Sequence, residues 1–183
     1  MGRAGWGAVV AGVAVTAALG RLWVRREQPW SAHRWSHRVG RGRERFEAAT
    51  TALLSWEMHR RSGAWVQPGT PSAEAGQHML SSLGVGPLRT PEPCEVLEVV
   101  RGDDVTSMYY RALPGHTFEG DERFTIRMAA DRTVSFHVAV RSRPALLVAR
   151  LAGPLVTPVQ WLFIARCASV LRRAPRIRTA GAR

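Results

Sequence analysis

The sequence contains no lysine and only two cysteines, Cys94 and Cys167. The two cysteines lie far apart and neither belongs to a C-x-x-C pair, which argues against a disulfide framework and a cysteine-based zinc site. Both are expected to be buried thiols. The sequence also lacks a G-x-S-x-G elbow, a P-loop and a dinucleotide fingerprint. It therefore predicts no cofactor and no metal.

All 26 basic residues are arginines, and the net charge of +12 resides at the ends of the chain. Residues 1–45 hold nine arginines and two acids, residues 46–168 hold twelve of each, and residues 169–183 hold five arginines and no acid. A domain built to grip nucleic acid usually carries its positive charge on the folded surface, so no specific nucleic acid is expected. Basic ends fit attraction to an anionic membrane surface, or solvated tails without a partner.

Residues 4–20 form a run of seventeen uncharged, mostly apolar residues. As a helix this run would be about 25 Å long, the lower limit for crossing a bilayer core. Trp6 and Trp23 near its ends, and the arginine excess after it, predict a membrane-associated protein held by one N-terminal helix with the domain on the cytoplasmic side. A cleaved export signal is the first alternative. A soluble cytoplasmic protein whose translation starts further downstream is the second.

A chain of 183 residues, 45% of them hydrophobic, can bury one substantial core. We expect an apolar segment with a basic linker over residues 1–28. One α+β domain should follow over residues 29–173, and a basic tail over residues 174–183.

The first part of the predicted domain is a strand followed by a helix. In SAHRWSHRV, alternate residues from His33 onward share one face. The run FEAATTALLSWEMHRR has apolar residues at helical spacing, and Gly63 should end this helix. Trp56, Met58 and His59 near its end have the spacing of core residues. GQHMLSSLG is predicted to be a short strand after a proline-containing loop.

Four further segments have the alternation of half-buried antiparallel strands. CEVLEVVRG and DVTSMYYRAL should pair through a turn at residues 102–104, with one of Tyr109 and Tyr110 facing inward. ERFTIRMA and TVSFHVAVR each place apolar residues on one face and polar residues on the other. The apolar faces are Phe124, Ile126, Met128, Val134, Phe136, Val138 and Val140.

Residues 145–173 are predicted to form a short helix and then a longer one, because Gly153, Pro154 and Pro158 interrupt the run. The longer helix is apolar almost all round, which is typical of a buried helix. Its predicted sheet-facing residues are Leu155, Val159, Leu162, Phe163, Cys167, Val170 and Leu171, with Trp161 and Ile164 beside them.

The order of these elements resembles the helix-grip arrangement of START and Bet v 1-like proteins. We therefore predict an α+β fold in which a curved antiparallel sheet wraps a long C-terminal helix, preceded by an N-terminal apolar helix. The resemblance implies an apolar cavity between sheet and helix.

The segment RALPGHTFEGDERF, residues 111–124, holds one histidine and three carboxylates. Gly115 and Gly120 are expected in turns, because glycine permits positive φ. His116 and Glu122 form a candidate acid/base pair, since a carboxylate can orient an imidazole. The alternative is a hairpin connection in which both make only structural hydrogen bonds. The spacing of the carboxylates matches no closed metal site.

Three stretches together resemble uncharacterised protein family 0548. They are F-x-x-A-x-x-A-L-L-x-W-x-M-H at residues 46–59, Y-x-x-L-P-G-H-x-x-x-G-x-E-x-F at residues 110–124 and S-R-P at residues 142–144. The similarity spans residues 30–173. Thr117 and Asp121 depart from the usual pattern, which has proline and glutamate there. The resemblance supports the domain limits and implies no activity.

The leading hypothesis is a membrane-tethered module that binds an apolar small molecule or lipid between sheet and helix. Its candidate ligand-binding residues are Tyr110, His116, Glu122, Phe124, Ile126, Phe136, Val138 and Arg143. The first alternative is an enzyme that uses His116 and Glu122 at the cavity mouth. The second is nucleic-acid binding through the arginine-rich ends, with an affinity that falls steeply with salt.

Overall fold

A curved antiparallel sheet of seven strands frames the domain. The structure, a computed structural model, describes residues 28–84 and 89–175. The strands are β1 Ser31–Arg41, β2 Trp65–Val66, β3 His78–Leu83, β4 Thr90–Arg101, β5 Val105–Ala112, β6 Phe118–Met128 and β7 Thr133–Pro144. They lie in the order β1-β7-β6-β5-β4-β3-β2, and each neighbouring pair is antiparallel. Local hairpins thus build most of the sheet, and the pairing of β1 with β7 brings the two ends of the domain together.

Two helices connect β1 to β2, and two more follow β7. Those in the described ranges are α1 Arg43–Leu54, α2 Glu57–Arg61, α3 Leu147–Ala152 and α4 Val156–Arg173, with a 3-10 turn, Gly153–Leu155, before α4. The predicted interruption at Gly153 is confirmed. Pro158 does not interrupt the helix, because it lies in the first turn of α4, where proline removes no helical hydrogen bond.

The helix predicted from Phe46 onward is two helices, because Trp56 adopts the left-handed conformation with a φ of 64°. The Trp56 indole is fully buried, and its Nε1–H donates to the carbonyl oxygen of Pro71 at 2.9 Å. Burial of this large ring and its hydrogen bond offset a backbone conformation that is unfavourable for a bulky residue. After this break, α2 buries Met58 and His59.

The apolar faces of β6 and β7 meet in register. Phe124 lies opposite Val138, and Ile126 lies opposite Phe136. The rings of Phe124 and Phe136 stack with their centroids 5.8 Å apart. The same core includes four residues of α4: Ile164, Cys167, Ala168 and Leu171. These strand faces thus share one core with the second half of the final helix.

Only the second half of α4 is buried against this core. Its buried residues are Ile164, Cys167, Ala168 and Leu171. Val159, Trp161 and Leu162 of the first half are 64%, 51% and 55% exposed, although they are predicted to face the sheet or border that face. The prediction fails there because, among the described strands, none buries these side chains.

Arg45 fixes the C-terminal end of α4. Its side chain is buried, and Nη1 donates to the carbonyl oxygens of Leu171 at 3.1 Å and Ala174 at 2.9 Å. The Leu171 carbonyl also accepts from the backbone N–H of Ala174 at 3.4 Å, and the guanidinium adds shorter hydrogen bonds to the carbonyl groups at this helix end. The arginine thereby ties α1 to α4 and holds the helix across the sheet.

The structure corrects the prediction of membrane association. In the described ranges, no helix is long and apolar enough to cross a bilayer. This finding overturns the predicted localisation, and we do not keep a membrane surface as a partner. Residues 4–20, where the sequence predicts the spanning helix, lie outside the described residues. Residues 176–183 of the basic tail also lie outside them.

Candidate functional site

A cavity of about 340 Å³ lies between the concave face of the sheet and the helices α3 and α4. Most of its wall is apolar. Val148, Leu155 and Val159 border it and are 50%, 65% and 64% exposed, so they mark its mouth along the helices. The polar residues of the wall include His59, Glu92, Tyr110, His116, Thr117 and Glu122.

Tyr110 and Glu122 face the cavity from neighbouring strands. Tyr110 of β5 lies opposite Glu122 of β6, and Glu122 shares the inner face of its strand with Phe124 by the period of two. The Tyr110 hydroxyl donates to Glu122 Oε2 at 2.6 Å. The two side chains form one hydrogen-bonded unit on the cavity wall.

Burial changes the proton affinity of this unit. It raises the pKa of Glu122 from 4.5 to about 7; the Tyr110 hydroxyl and His116 oppose the change, and the charge of Glu92 adds to it. Burial, followed by the charge of Glu122, raises the pKa of Tyr110 as well. Glu122 keeps part of its surface open to the cavity, yet protein surrounds it on its other sides. This carboxyl can therefore hold or release a proton near neutral pH.

The segment 111–124 is a hairpin in which only residues 113–117 connect the strands. Gly115 lies in that connection with a φ of 96°, as predicted. The prediction of a turn at Gly120 is wrong, because Gly120 belongs to β6 and pairs with Ser142 of β7. A Cβ atom at Gly120 would collide with the carbonyl oxygen of Arg141. Glycine therefore permits the close approach of two strands beside the cavity.

Glu92 is a carboxylate of this site that the sequence analysis did not single out. β4 begins at Thr90, and Glu92 and Cys94 alternate on its buried inner face. Glu92 Oε1 accepts from the Thr90 hydroxyl at 3.0 Å, and Oε2 accepts from the backbone N–H of Thr117 at 3.3 Å. The two prolines that flank Glu92 hide the start of the strand. The alternation of Glu92 with the apolar residues after it is the signal that could have revealed it.

His116 lies in the connection between β5 and β6, and its carboxylate partner is Glu92 rather than Glu122. Its Nδ1 is 2.8 Å from Glu92 Oε2 and 2.9 Å from the backbone nitrogen of Phe118. One ring nitrogen cannot donate to the first and accept from the second at the same time. The shorter contact, to a carboxylate, favours a protonated Nδ1 that donates to Glu92.

His59 of α2 is buried, as predicted, and it also borders the cavity. Its ring centroid is 5.3 Å from those of Trp56 and Phe124. Burial, and then the charge of Arg60, lowers the pKa of His59 to about 4, so the ring is neutral. Within the described part of the chain, neither ring nitrogen has a hydrogen-bond partner. The imidazole thus offers one unpaired donor and one unpaired acceptor.

Several predicted ligand-binding residues lie away from the cavity wall. The apolar ones among them form the core beside the cavity: Phe124, Ile126, Phe136 and Val138. Arg143 lies on the other face of β7, where its Nε donates to Glu119 Oε2 at 2.7 Å and its guanidinium lies 5.0 Å from the centroid of the Trp30 ring. Tyr110, His116 and Glu122 are the predicted residues that the structure brings together.

The cysteines do not supply a reactive group to this site. Both are free and buried, as predicted. Burial raises the pKa of Cys94 and of Cys167 to about 12, so each remains a neutral thiol and a weak nucleophile. Over residues 28–84 and 89–175, no group of three or more histidine, cysteine or acidic side chains could hold a metal ion.

Comparison with other sequences identifies the family. A family model described as "Domain of unknown function (DUF1990)" matches residues 15–170. A UPF0548 protein of Deinococcus radiodurans is 31% identical over 150 residues, which cover 75% of this chain and 74% of that protein. The chain belongs to the UPF0548 family. A UPF0548 protein of Arabidopsis thaliana is 27% identical over 124 residues, which cover 64% of this chain and 60% of that protein. The predicted family resemblance is confirmed.

Solved structures share the fold of this UPF0548 domain at low sequence identity. A hypothetical protein of Helicobacter pylori has a TM-score of 0.57 at 8% identity and covers 85% of this chain and 94% of its own. A START superfamily protein of Mycobacterium smegmatis has a TM-score of 0.52 at 12% identity, with 79% and 96% covered. A norcoclaurine synthase mutant of Thalictrum flavum, in complex with a transition-state analogue, has a TM-score of 0.54 at 8% identity, with 81% and 98% covered. The predicted curved antiparallel sheet with a C-terminal helix, as in START and Bet v 1-like proteins, is confirmed.

Proposed function

We propose that this UPF0548 protein binds an apolar small molecule in the cavity between sheet and helices, with a polar group of that molecule near Tyr110 and Glu122. The cavity itself carries the proposal. Its volume of about 340 Å³ lies within the range of small-molecule sites, roughly 300 to 1,000 Å³, and a mainly apolar wall with a few polar groups is typical of them.

The mouth of the cavity supports an apolar ligand. Val148, Leu155 and Val159 border the cavity and are at least half exposed. Apolar surface removed from water stabilises a complex by roughly 25 cal/mol per Å². A hydrocarbon group lying along α3 and α4 would cover these side chains and gain that contribution.

The unpaired polar atoms inside the wall support a polar group on the ligand. The ring nitrogens of His59 and the Thr117 hydroxyl are buried without a partner in the described residues. A buried polar group that lacks a hydrogen bond costs about 1–3 kcal/mol. A ligand that reaches these atoms would recover part of this cost.

The fold neighbours give further support. The norcoclaurine synthase of similar fold is in complex with a transition-state analogue, so a domain of this architecture accommodates a small molecule. For the present chain, the cavity between its own sheet and helices is the corresponding candidate site.

A binding titration with a matched pair of variants tests the proposal. N-phenyl-1-naphthylamine, an apolar dye that brightens in apolar surroundings, should bind the wild-type protein saturably. Ala152→Trp, which fills the cavity from α3, should weaken binding at least tenfold, whereas Leu162→Trp on the exposed side of α4 should not. Equal thermal unfolding of the two variants serves as the folding control. No saturable binding, or equal binding by both variants, would contradict the proposal.

A second candidate function is acid–base catalysis on the bound molecule. Two pairs of acid–base side chains that border one cavity favour it. Tyr110 pairs with Glu122, and His116 pairs with Glu92. A carboxyl whose pKa lies near 7 can both accept and return a proton at neutral pH, and burial gives Glu122 such a pKa.

Hydrogen exchange tests this second function without a known substrate. Apolar ketones are incubated with the protein in D₂O, and exchange at the carbon next to the carbonyl is followed by NMR. Exchange should be catalysed by the wild-type protein and by Glu119→Gln, which alters an exposed carboxylate of the same strand, but not by Glu122→Gln. If ketones bind and none exchanges above the buffer rate, acid–base catalysis of this type is ruled out.

A further inference from the structure

The cavity wall carries charge of the opposite sign to the whole chain. The protein has 26 arginines and a net charge of +12. Nevertheless, in the part of the chain that the structure describes, Glu92, Asp121 and Glu122 border the cavity and no arginine does. An anionic ligand, such as a fatty acid carboxylate, would therefore meet carboxylates and no arginine of the described residues, and the imidazole of His116 already contacts Glu92.

Glu92 and Glu122 differ in the number of hydrogen bonds that each accepts from the protein. Glu92 accepts from Thr90 and from the Thr117 backbone N–H, and it contacts His116. For Glu122, the hydrogen bond within the described residues is the one from the Tyr110 hydroxyl. Burial disfavours the charge of Glu122, which is why its pKa is raised to about 7. A positive group in the cavity would stabilise that charge.

The rest of the polar wall also suits a cation that can donate hydrogen bonds. The neutral ring of His59 presents an unpaired acceptor nitrogen beside the cavity, and the Thr117 hydroxyl is a second unpaired acceptor. Trp35, Phe118 and Phe163 border the same cavity. Aromatic ring faces attract cations.

We propose that the ligand of this cavity is an apolar amine, whose protonated nitrogen lies beside Glu122 and whose hydrocarbon part lies along α3 and α4. This inference rests on the proposed binding function and specifies the chemical class of the ligand. The carboxylate supplies the opposite charge, His59 and Thr117 supply acceptors, and the exposed apolar residues at the mouth cover the hydrocarbon part.

Three probes with the same hydrocarbon chain test the charge preference: octylammonium, octanol and octanoate. Binding is measured by calorimetry at pH 8, where Glu122 is mostly ionised. Octylammonium should bind at least tenfold more tightly than octanol, and octanoate should bind most weakly. In Glu122→Gln the advantage of the ammonium over the alcohol should fall to less than threefold. Glu119→Gln, which removes an exposed carboxylate from the same strand, should keep the full advantage.

The affinity should also depend on pH in a defined direction. Glu122 is mostly neutral at pH 6 and mostly ionised at pH 8, whereas octylammonium keeps its charge throughout. The dissociation constant should therefore be about tenfold lower at pH 8 than at pH 6, and this change should disappear in Glu122→Gln. Other titratable groups border the cavity or lie near Glu122 on the surrounding elements: His59 of α2, Glu92 and Cys94 of β4, Tyr110 of β5, His116 of the connection, Asp121 of β6 and Cys167 of α4.

The probe series separates the two proposals. If none of the three probes binds, the proposed binding function fails. If octanol or octanoate binds as tightly as octylammonium, the amine proposal is overturned while ligand binding in the cavity stands. An ammonium preference that persists in Glu122→Gln also overturns it, because the charge would then be recognised elsewhere.

Discussion

Replacing Glu122 with glutamine should change how the stability of the protein depends on pH. Burial raises the pKa of this carboxyl from 4.5 to about 7. Between these two pH values the unfolded chain releases a proton that the native protein retains. The native state therefore loses stability as the pH rises through this window, and the loss is complete above pH 7.

The size of the loss follows from the same two values. A difference of one unit between the native and unfolded pKa corresponds to about 1.4 kcal/mol of stability. The ionised carboxyl therefore lowers the free energy of unfolding by up to roughly 3 kcal/mol at pH 8. Glutamine keeps the shape of the side chain and can accept the hydrogen bond from Tyr110, but it does not ionise. Its stability should lack this loss.

Urea unfolding followed by tryptophan fluorescence, at several pH values from 4.5 to 8, measures the effect. The free energy of unfolding of Glu122→Gln minus that of the wild type should increase by about 3 kcal/mol across this range. Taking the difference cancels the titration of groups common to both proteins. Glu119→Gln, at an exposed position on β6, should show no such increase. Parallel pH profiles for wild type and Glu122→Gln would refute the argument that Glu122 is buried and ionises near pH 7.

Three further predictions concern the fold, and chemical denaturation measures all of them. Gly120→Ala should lower the free energy of unfolding by more than about 3 kcal/mol, because its Cβ would meet the Arg141 carbonyl. Gly69→Ala, with open space around a φ of 77°, should lower it by about 1 kcal/mol. Equal losses would contradict the close strand approach. Phe124→Ala should lower the free energy of unfolding by about 3–5 kcal/mol because the ring is fully buried. Leu162→Ala should lower it by less than about 0.5 kcal/mol, because Leu162 is 55% exposed. A loss for Phe124→Ala as small as for Leu162→Ala would show that Phe124 does not lie in the core. Arg45→Met should cost about 1–3 kcal/mol because it removes the hydrogen bonds that the buried guanidinium donates to the carbonyls of Leu171 and Ala174. Wild-type stability would exclude the capping role.

The strands of the sheet could be predicted from the sequence because the pattern that indicates a strand lies within a few consecutive residues. The alternation of Phe124, Ile126 and Met128, and that of Val134 and Phe136, requires only that neighbouring residues point to opposite faces of a strand. The same rule, extended two residues before Phe124, would have placed Glu122 on the inner face. The start of this strand was obscured because Gly120, two residues before Glu122, is typical of a turn, whereas in the structure it permits a close approach of two strands.

The site depended on contacts between residues far apart in the chain. The sequence paired His116 with Glu122, but the fold brings Glu92 of β4 to His116 and Tyr110 of β5 to Glu122. Likewise, the apolar pattern of α4 cannot show that its first half borders an open cavity while its second half is buried, because the pattern is the same in both.

By itself, the sequence determined the family, the antiparallel strands and the apolar faces that form the core, since these follow from spacing along the chain. Only the tertiary structure decided which side chains share the cavity, and that no arginine of the described residues lies there with Glu122. The physical reason is that burial and charge compensation are properties of a site in space, to which β4, β5, β6 and the helices each contribute separately.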